Sequence, residues 1–166
     1  VENLAITAYE IDPNAFGELE AKYQGQANVA LKFSNMLFDS ALDEQADKGG
    51  AYDYVIANPP YGGWLDYSQR QALKNKYPDI YVKETYALFL YRCIQLLKPE
   101  GRLVFIIPST FLNLHMHTKL RRWLFENTSI HDLSLFPASF FPNVNFGYAK
   151  MCIISLEKTP PNKQSR

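Results

Sequence analysis

An asparagine followed by two prolines and a tyrosine, Asn58-Pro59-Pro60-Tyr61, carries the clearest chemistry in the chain. An asparagine side chain often bonds to the N–H group two residues later, but Pro60 has no N–H group. The Asn58 amide is therefore expected to be free, beside a Pro59 carbonyl that the following proline holds rigid. Two fixed acceptors side by side suit a group with two N–H bonds, namely an amino group. Tyr61 adds a flat aromatic face.

The segment follows a short apolar strand, which is predicted over Tyr52–Ala57 (YDYVIA). Polar residues at a strand end are well placed to bind a ligand. This position favours a functional role over the alternative, a proline-rich loop in which Asn58 caps a neighbouring element.

Apolar runs alternate with helical patterns along the chain, which predicts an α/β fold with a mainly parallel sheet. Ser40–Gly50 is polar, acidic and ends in glycine, so a loop is expected there, with room for a helical turn. Arg102–Ile107 (RLVFII) is apolar beyond its first residue and is expected to be fully buried. The predicted strands are Leu4–Ile11, Val29–Phe33, Tyr52–Ala57, Arg102–Ile107, Ile130–Phe136 and Ala149–Leu156. The predicted helices are Asn14–Tyr23, Ser68–Lys76, Thr85–Leu97 and His117–Glu126, the third ended by Lys98-Pro99-Glu100-Gly101.

Polar residues follow four of these strands in chain order: Glu10, Asn35, Asn58 and Ser109. Ligands of open α/β sheets bind at the carboxyl ends of the strands. We therefore expect the binding residues of this chain among these four positions and their neighbours.

Composition sets outer limits on function. Of the 166 residues, 47% are hydrophobic and 20% charged, as expected for one globular domain. The 17 basic residues balance 17 acidic ones. This balance excludes a chain that binds a polyanion through its overall charge, but it does not exclude a local basic patch.

Cys93 and Cys152 lie in apolar runs and are expected to be buried thiols, so a cytoplasmic location is expected. No apolar run is long enough to span a membrane, and no signal peptide is expected.

Two stretches of the chain resemble a known family. Asp53–Tyr61 (DYVIANPPY) looks like the catalytic motif of S-adenosylmethionine-dependent amino methyltransferases. Tyr86–Leu112 is similar to N6-adenine DNA methyltransferases of restriction–modification systems, of the TaqI and Eco57I kind. The resemblance runs from Ala8 to about Lys158. It implies a Rossmann-like methyltransferase fold, S-adenosylmethionine as cofactor and adenine in DNA as target, with a partial catalytic domain over residues 1–158 and a linker or tail over 159–166.

The same resemblance assigns three cofactor-binding residues. Glu10 would bond the ribose hydroxyls, and Ile11 would pack on the cofactor adenine. Asn35 stands where many relatives carry aspartate, and its amide oxygen would meet the adenine amino group. Glu10 could instead be a solvated acid leading a helix, and for Asn35 a role without the cofactor stays equally open.

For the target base, the resemblance makes Asn58, Pro59, Pro60 and Tyr61 the catalytic motif. Asn58 and Pro59 would hold the target amine, and Tyr61 would stack on the flipped base. Phe141 resembles the second stacking aromatic; it could instead be core, and its neighbour Phe140 is the alternative.

Other polar side chains have weaker claims. His115 and His117 lack a cysteine or acid cluster that would complete a metal site, so no metal is expected. Lys119, Arg121 and Arg122 could contact phosphate or could form a solvated helix face.

Two parts that relatives carry are not visible in this sequence. No glycine-rich motif precedes Ala8, so the first strand and its loop, and also a target-recognition domain or subunit, would be supplied from elsewhere. The strand edges left open would favour self-association.

Two other interpretations of the function stay open. One is a protein-glutamine or RNA methyltransferase, because Asn-Pro-Pro-Tyr occurs in those enzymes too. The other is a non-catalytic remnant or scaffolding subunit.

Overall fold

The computed structural model describes residues 4–62, 65–140 and 150–161. The chain forms two compact units, residues 1–43 and residues 44–166. No helix in these described ranges combines the length and the apolar character that crossing a membrane requires.

The first unit is built on a pair of parallel strands. β1 (Ile6–Glu10) leads through helix α1 (Pro13–Tyr23) to β2 (Val29–Phe33). The register aligns Glu10 with Phe33, so the two strands end side by side. Helix α1 starts sharply because the Asp12 carboxylate accepts hydrogen bonds from two N–H groups of the first turn.

A four-stranded mixed sheet forms the second unit, in the order β3-β4-β6-β5. β3 pairs with β4 in parallel, and β6 pairs antiparallel with both β4 and β5. The last strand in sequence therefore lies inside the sheet. The remaining elements in chain order are α2 (Ser40–Asp47), β3 (Tyr52–Ala57), α3 (Tyr67–Lys76), α4 (Thr85–Leu96), β4 (Leu97–Pro108), α5 (Thr118–Asn127), β5 (Ser129–Phe136) and β6 (Met151–Glu157), with short 3-10 turns at Ser109–Leu112, His115–His117 and Ala138–Phe140.

The α/β class is thus confirmed, and three local expectations need correction. Ser40–Asp47 is a helix rather than a loop. Lys98 to Gly101 do more than end a helix, because they belong to strand β4. They form a bulge between two strand pairs, Tyr52–Leu97 and Tyr54–Arg102. Glu100 in this bulge has a positive φ of 64°.

The third correction concerns β4, which is not buried on both faces. Leu103, Phe105 and Ile107 are fully buried, whereas Val104 is 37% exposed. The described residues cover the second face of the sheet only in part, so the strand keeps an alternating pattern of burial.

Lys158 ties the end of β6 to the end of α4. Its ammonium donates to the carbonyl oxygens of Leu97 at 2.6 Å, Gln95 at 2.9 Å and Gly49 at 3.3 Å. Burial lowers the pKa of this ammonium. The last carbonyls of a helix have no partner within it, so this side chain stabilises the end of α4.

Both thiols are buried, as the sequence predicted. Burial raises the pKa of Cys93 to about 12 and that of Cys152 to about 11. We expect neither to react with iodoacetamide at pH 8 in the folded protein, because the thiolate is the nucleophile. Peptide mapping by mass spectrometry should find both labelled only after denaturation; labelling of either one in the native protein would contradict this.

Candidate functional site

Glu10 lies at the carboxyl end of β1, where the sequence placed it. Its Oε1 accepts hydrogen bonds from the N–H groups of Ile11 at 2.6 Å and Asp12 at 2.8 Å. Both bonds fix the carboxylate at the strand end, and Oε2 accepts none from the described residues. The half-buried acid is therefore oriented by its own turn, with one oxygen left for hydroxyl groups.

The other two predicted cofactor residues lie at the same ends of β1 and β2. Ile11 is 59% exposed, which is unusual for an isoleucine and leaves an apolar face for a ring. Asn35 is half-buried, and its Oδ1 accepts a hydrogen bond from the Leu37 N–H at 3.1 Å. Asn35 therefore has a local structural role that the sequence did not predict, although an amide oxygen can accept a second hydrogen bond. A carboxylate, an apolar face and an amide together fit the adenosine half of a nucleoside cofactor.

Asn58 begins the segment after β3 and is exposed. Its amide oxygen is not free, which corrects the sequence expectation: the Tyr61 hydroxyl donates a hydrogen bond to Oδ1. Pro60 denies Asn58 a backbone partner, but the side chain of Tyr61 supplies a partner instead. Burial raises the pKa of Tyr61, and the bond to Asn58 opposes this in part, so the hydroxyl remains a donor at neutral pH.

The two prolines have different surroundings. Pro59 is buried, whereas Pro60 is exposed. The Pro60 carbonyl accepts a hydrogen bond from Thr85 Oγ1 at 2.9 Å, across 25 residues of sequence. The segment is therefore held by a buried ring and by a side chain of α4. The one sequence feature that marks Thr85 is its position as a polar residue at the start of a very apolar helix.

The next residue of α4, Tyr86, joins the helix to the segment after β4. Its hydroxyl lies 2.9 Å from Thr110 Oγ1 and 3.0 Å from His117 Nε2. Tyr86 is 1% exposed and His117 is fully buried. His117 is therefore a core residue, and no group of three or more metal-ligating residues occurs in the described part of the chain.

Burial lowers the pKa of His117 below its ordinary 6.5; the charge of Glu84 opposes this shift and that of Arg121 adds to it. The unfolded chain then takes up a proton at a pH at which the folded protein does not. We expect the free energy of unfolding to keep its full value above pH 6.5. It should decrease as the pH drops below 6.5, because protonation of His117 then favours the unfolded chain.

Urea titrations of the full-length protein between pH 8 and pH 5 would measure this effect. His117→Gln should flatten the pH dependence, whereas His115→Gln, which alters an exposed imidazole, should not. An equal slope in His117→Gln and the parent protein would contradict the assignment.

The remaining candidate residues from the sequence, three basic residues and two phenylalanines, differ in their surroundings. Arg121 donates to the carbonyls of Phe111 and Leu114, both at 2.8 Å, so its charge stabilises structure. Lys119 forms an exposed ion pair with Asp79, while Arg122 is exposed. Phe141 lies outside the described residues, and Phe140 is 71% exposed.

The α/β fold is of the class found in S-adenosylmethionine-dependent methyltransferases. A protein from Vibrio vulnificus YJ016, assigned as the modification subunit of a type I restriction enzyme, shares this fold. It superposes with a TM-score of 0.75 over 93% of this chain and 33% of its own, at 19% identity.

The family is more specific than the class. Residues 5–141 match the family model of the Eco57I restriction-modification methylases, and the chain belongs to this family. It is 31% identical to the type II restriction enzyme and methyltransferase RM.Eco57I of Escherichia coli over 62% of this chain and 12% of that protein. It is 26% identical to the type II methyltransferase M.AccI of Acinetobacter calcoaceticus over 80% of this chain and 24% of that protein. The chain thus spans a quarter or less of the length of these two relatives.

Proposed function

We propose that this chain is part of the catalytic domain of an N6-adenine DNA methyltransferase of a restriction–modification system. The observation that carries the proposal is the pair of acceptors at the carboxyl end of β3. The exposed Asn58 amide stands next to the rigid carbonyl of a buried proline, Pro59. Membership of the Eco57I family supports the proposal.

The amino group of adenine is a weak nucleophile because its lone pair is delocalised into the ring. Asn58 Oδ1 and the Pro59 carbonyl would accept hydrogen bonds from the two N–H groups of this amine. These bonds would localise the lone pair on the nitrogen and orient it toward the methyl group. Both acceptors would be held by the protein before the substrate arrives, so that little of their orientation would have to be acquired during the reaction. Tyr61 must give up its bond to Asn58, or share the oxygen, when the amine binds.

S-adenosylmethionine would supply an electrophilic methyl group on its sulfonium. Glu10 would bind the ribose hydroxyls through Oε2, since Oε1 is engaged by the backbone. Ile11 would pack on the cofactor adenine, and Asn35 would accept a bond from its amino group.

The target adenine of a duplex must leave the base stack to reach Asn58. Tyr61 would stack on the flipped base, with Phe141 proposed as the second face. Sequence recognition would come from other parts of the full-length protein or from a partner subunit, and we expect the protein in the cytoplasm.

The product of the reaction tests this function. The full-length protein would be incubated with methyl-labelled S-adenosylmethionine and, separately, with duplex DNA, RNA and a glutamine-containing protein substrate. Label recovered as N6-methyladenine from DNA supports the proposal. Label in RNA or protein alone would replace it with another methyltransferase, and no label on any substrate would favour a scaffolding role.

A further inference from the structure

We propose that Thr85 is a positioning residue for methyl transfer, which acts by fixing the Asn58–Tyr61 segment through the Pro60 carbonyl. This inference rests on the function proposed above. Thr85 contacts neither the target base nor the cofactor in this proposal; it sets the geometry of the residues that do.

The hydrogen bond is well protected. Thr85 is 2% exposed, and its Oγ1 donates to the Pro60 oxygen at 2.9 Å. Water has little access to such a donor, so it cannot replace the bond at small cost. A buried hydroxyl that loses its partner is itself destabilised, which keeps the bond formed.

The bond removes the torsional freedom that the prolines leave. Each residue has two soft backbone torsions, and the proline ring fixes φ but not ψ. Holding the Pro60 carbonyl sets ψ of Pro60, so both of its torsions are fixed. The peptide group that carries the Pro59 carbonyl then adjoins a rigid residue. That carbonyl is one of the two acceptors proposed for the target amine.

The segment depends on such an anchor because of its own sequence. Pro59 and Pro60 have no N–H groups, so neither can hold the segment by donating a backbone hydrogen bond. Their carbonyls must serve instead. If Pro59 presents its carbonyl to the substrate, the Pro60 carbonyl is the adjacent acceptor through which the protein can hold the pair.

The donor also lies next to a residue that is hydrogen-bonded on both sides. Thr85 is the first residue of α4, and the next residue, Tyr86, is bonded to Thr110 and His117. The first turn of α4 is thereby connected both to the segment after β3 and to the turns after β4. Movement of Thr85 away from Pro60 would disturb buried contacts of Tyr86 as well.

Three variants of the full-length protein separate positioning from folding. Thr85→Val keeps the side-chain shape and removes the donor, whereas Thr85→Ser keeps the donor. Thr128→Val is the matched control, because Thr128 is also 2% exposed and its Oγ1 also donates to a carbonyl, that of Leu124 at 2.8 Å. Its bond lies at the end of α5 and does not involve the segment.

We expect Thr85→Val to lower kcat by about tenfold to a hundredfold, with the KM for S-adenosylmethionine unchanged. Thr85→Ser should restore kcat to within about threefold, because its hydroxyl can make the same bond. Thr128→Val should lower the urea midpoint of unfolding much as Thr85→Val does, with kcat retained. All assays are run well below the unfolding temperature of each variant; if Thr85→Val does not fold, Thr85→Ala takes its place with the same expectation.

Equal kcat in Thr85→Val and Thr128→Val would overturn the proposal, and so would a Thr85→Ser variant as slow as Thr85→Val. Asn58→Ala, assayed in parallel, keeps this result separate from the proposed function. An inactive Asn58→Ala with a fully active Thr85→Val would refute only the role of Thr85. An active Asn58→Ala would refute the mechanism on which that role depends.

Discussion

Replacing Asn58 with alanine in the full-length protein should lower kcat for adenine methylation by about a hundredfold or more. The change removes one of two acceptors that orient the target amine and localise its lone pair. The KM for S-adenosylmethionine and the affinity for DNA should change little, because the Asn58 side chain is exposed and its hydrogen bond is to Tyr61 of the same segment. Single-turnover methylation with a saturating duplex measures the effect on chemistry directly.

Asn75→Ala provides the control, because it removes an exposed asparagine from the surface of α3. Its turnover should match that of the parent protein. A turnover of Asn58→Ala within a few-fold of this control would show that the amide does not orient the amine, and the mechanism would have to be abandoned.

A second large effect is expected from the ring of Tyr61. Tyr61→Ala should weaken capture of the flipped base by about 1–3 kcal/mol, or roughly five- to a hundred-and-fifty-fold. Tyr61→Phe keeps the ring and removes the hydroxyl that occupies Asn58 Oδ1, so base capture should be retained or improved. A fluorescent base analogue at the target position reports the flipped fraction for both variants.

The two variants of Tyr61 distinguish the ring from the hydroxyl. If Tyr61→Phe captures the base as poorly as Tyr61→Ala, the hydroxyl matters and stacking does not. If neither differs from the parent protein, Tyr61 does not contact the base.

Strand and helix positions were predictable where apolar pattern and chain breakers agreed. Val29–Phe33 and Tyr52–Ala57 have the predicted bounds, since each is a short, mainly apolar run and turn residues follow both. Helix α2 was missed because its residues are mostly polar and acidic, and a single buried leucine, Leu42, marks its inner face. Burial of β4 was overestimated because an apolar run does not tell which of its faces is covered.

The positions of the candidate site residues at strand ends were predictable, but their hydrogen bonds were not. Glu10 and Asn58 could be placed at strand ends, because strand ends are visible as a change from apolar to polar residues. The bond from Tyr61 to Asn58 depends on the side-chain rotamers around a rigid turn. The bond from Thr85 to Pro60 joins residues 25 apart, and no local pattern encodes such a contact.

The strand order has a consequence for how the chain folds. β6 comes last in sequence, yet it separates β4 from β5, so β5 can join the sheet only after β6 has been synthesised. Lys158, just beyond β6, bonds carbonyls 61 to 109 residues earlier in the chain. Contacts of such long range slow folding, and until they form the nascent chain exposes the edges of β4 and β5. Assembly of this sheet therefore finishes with an inner strand, and the exposed strand edges persist until β6 has been synthesised.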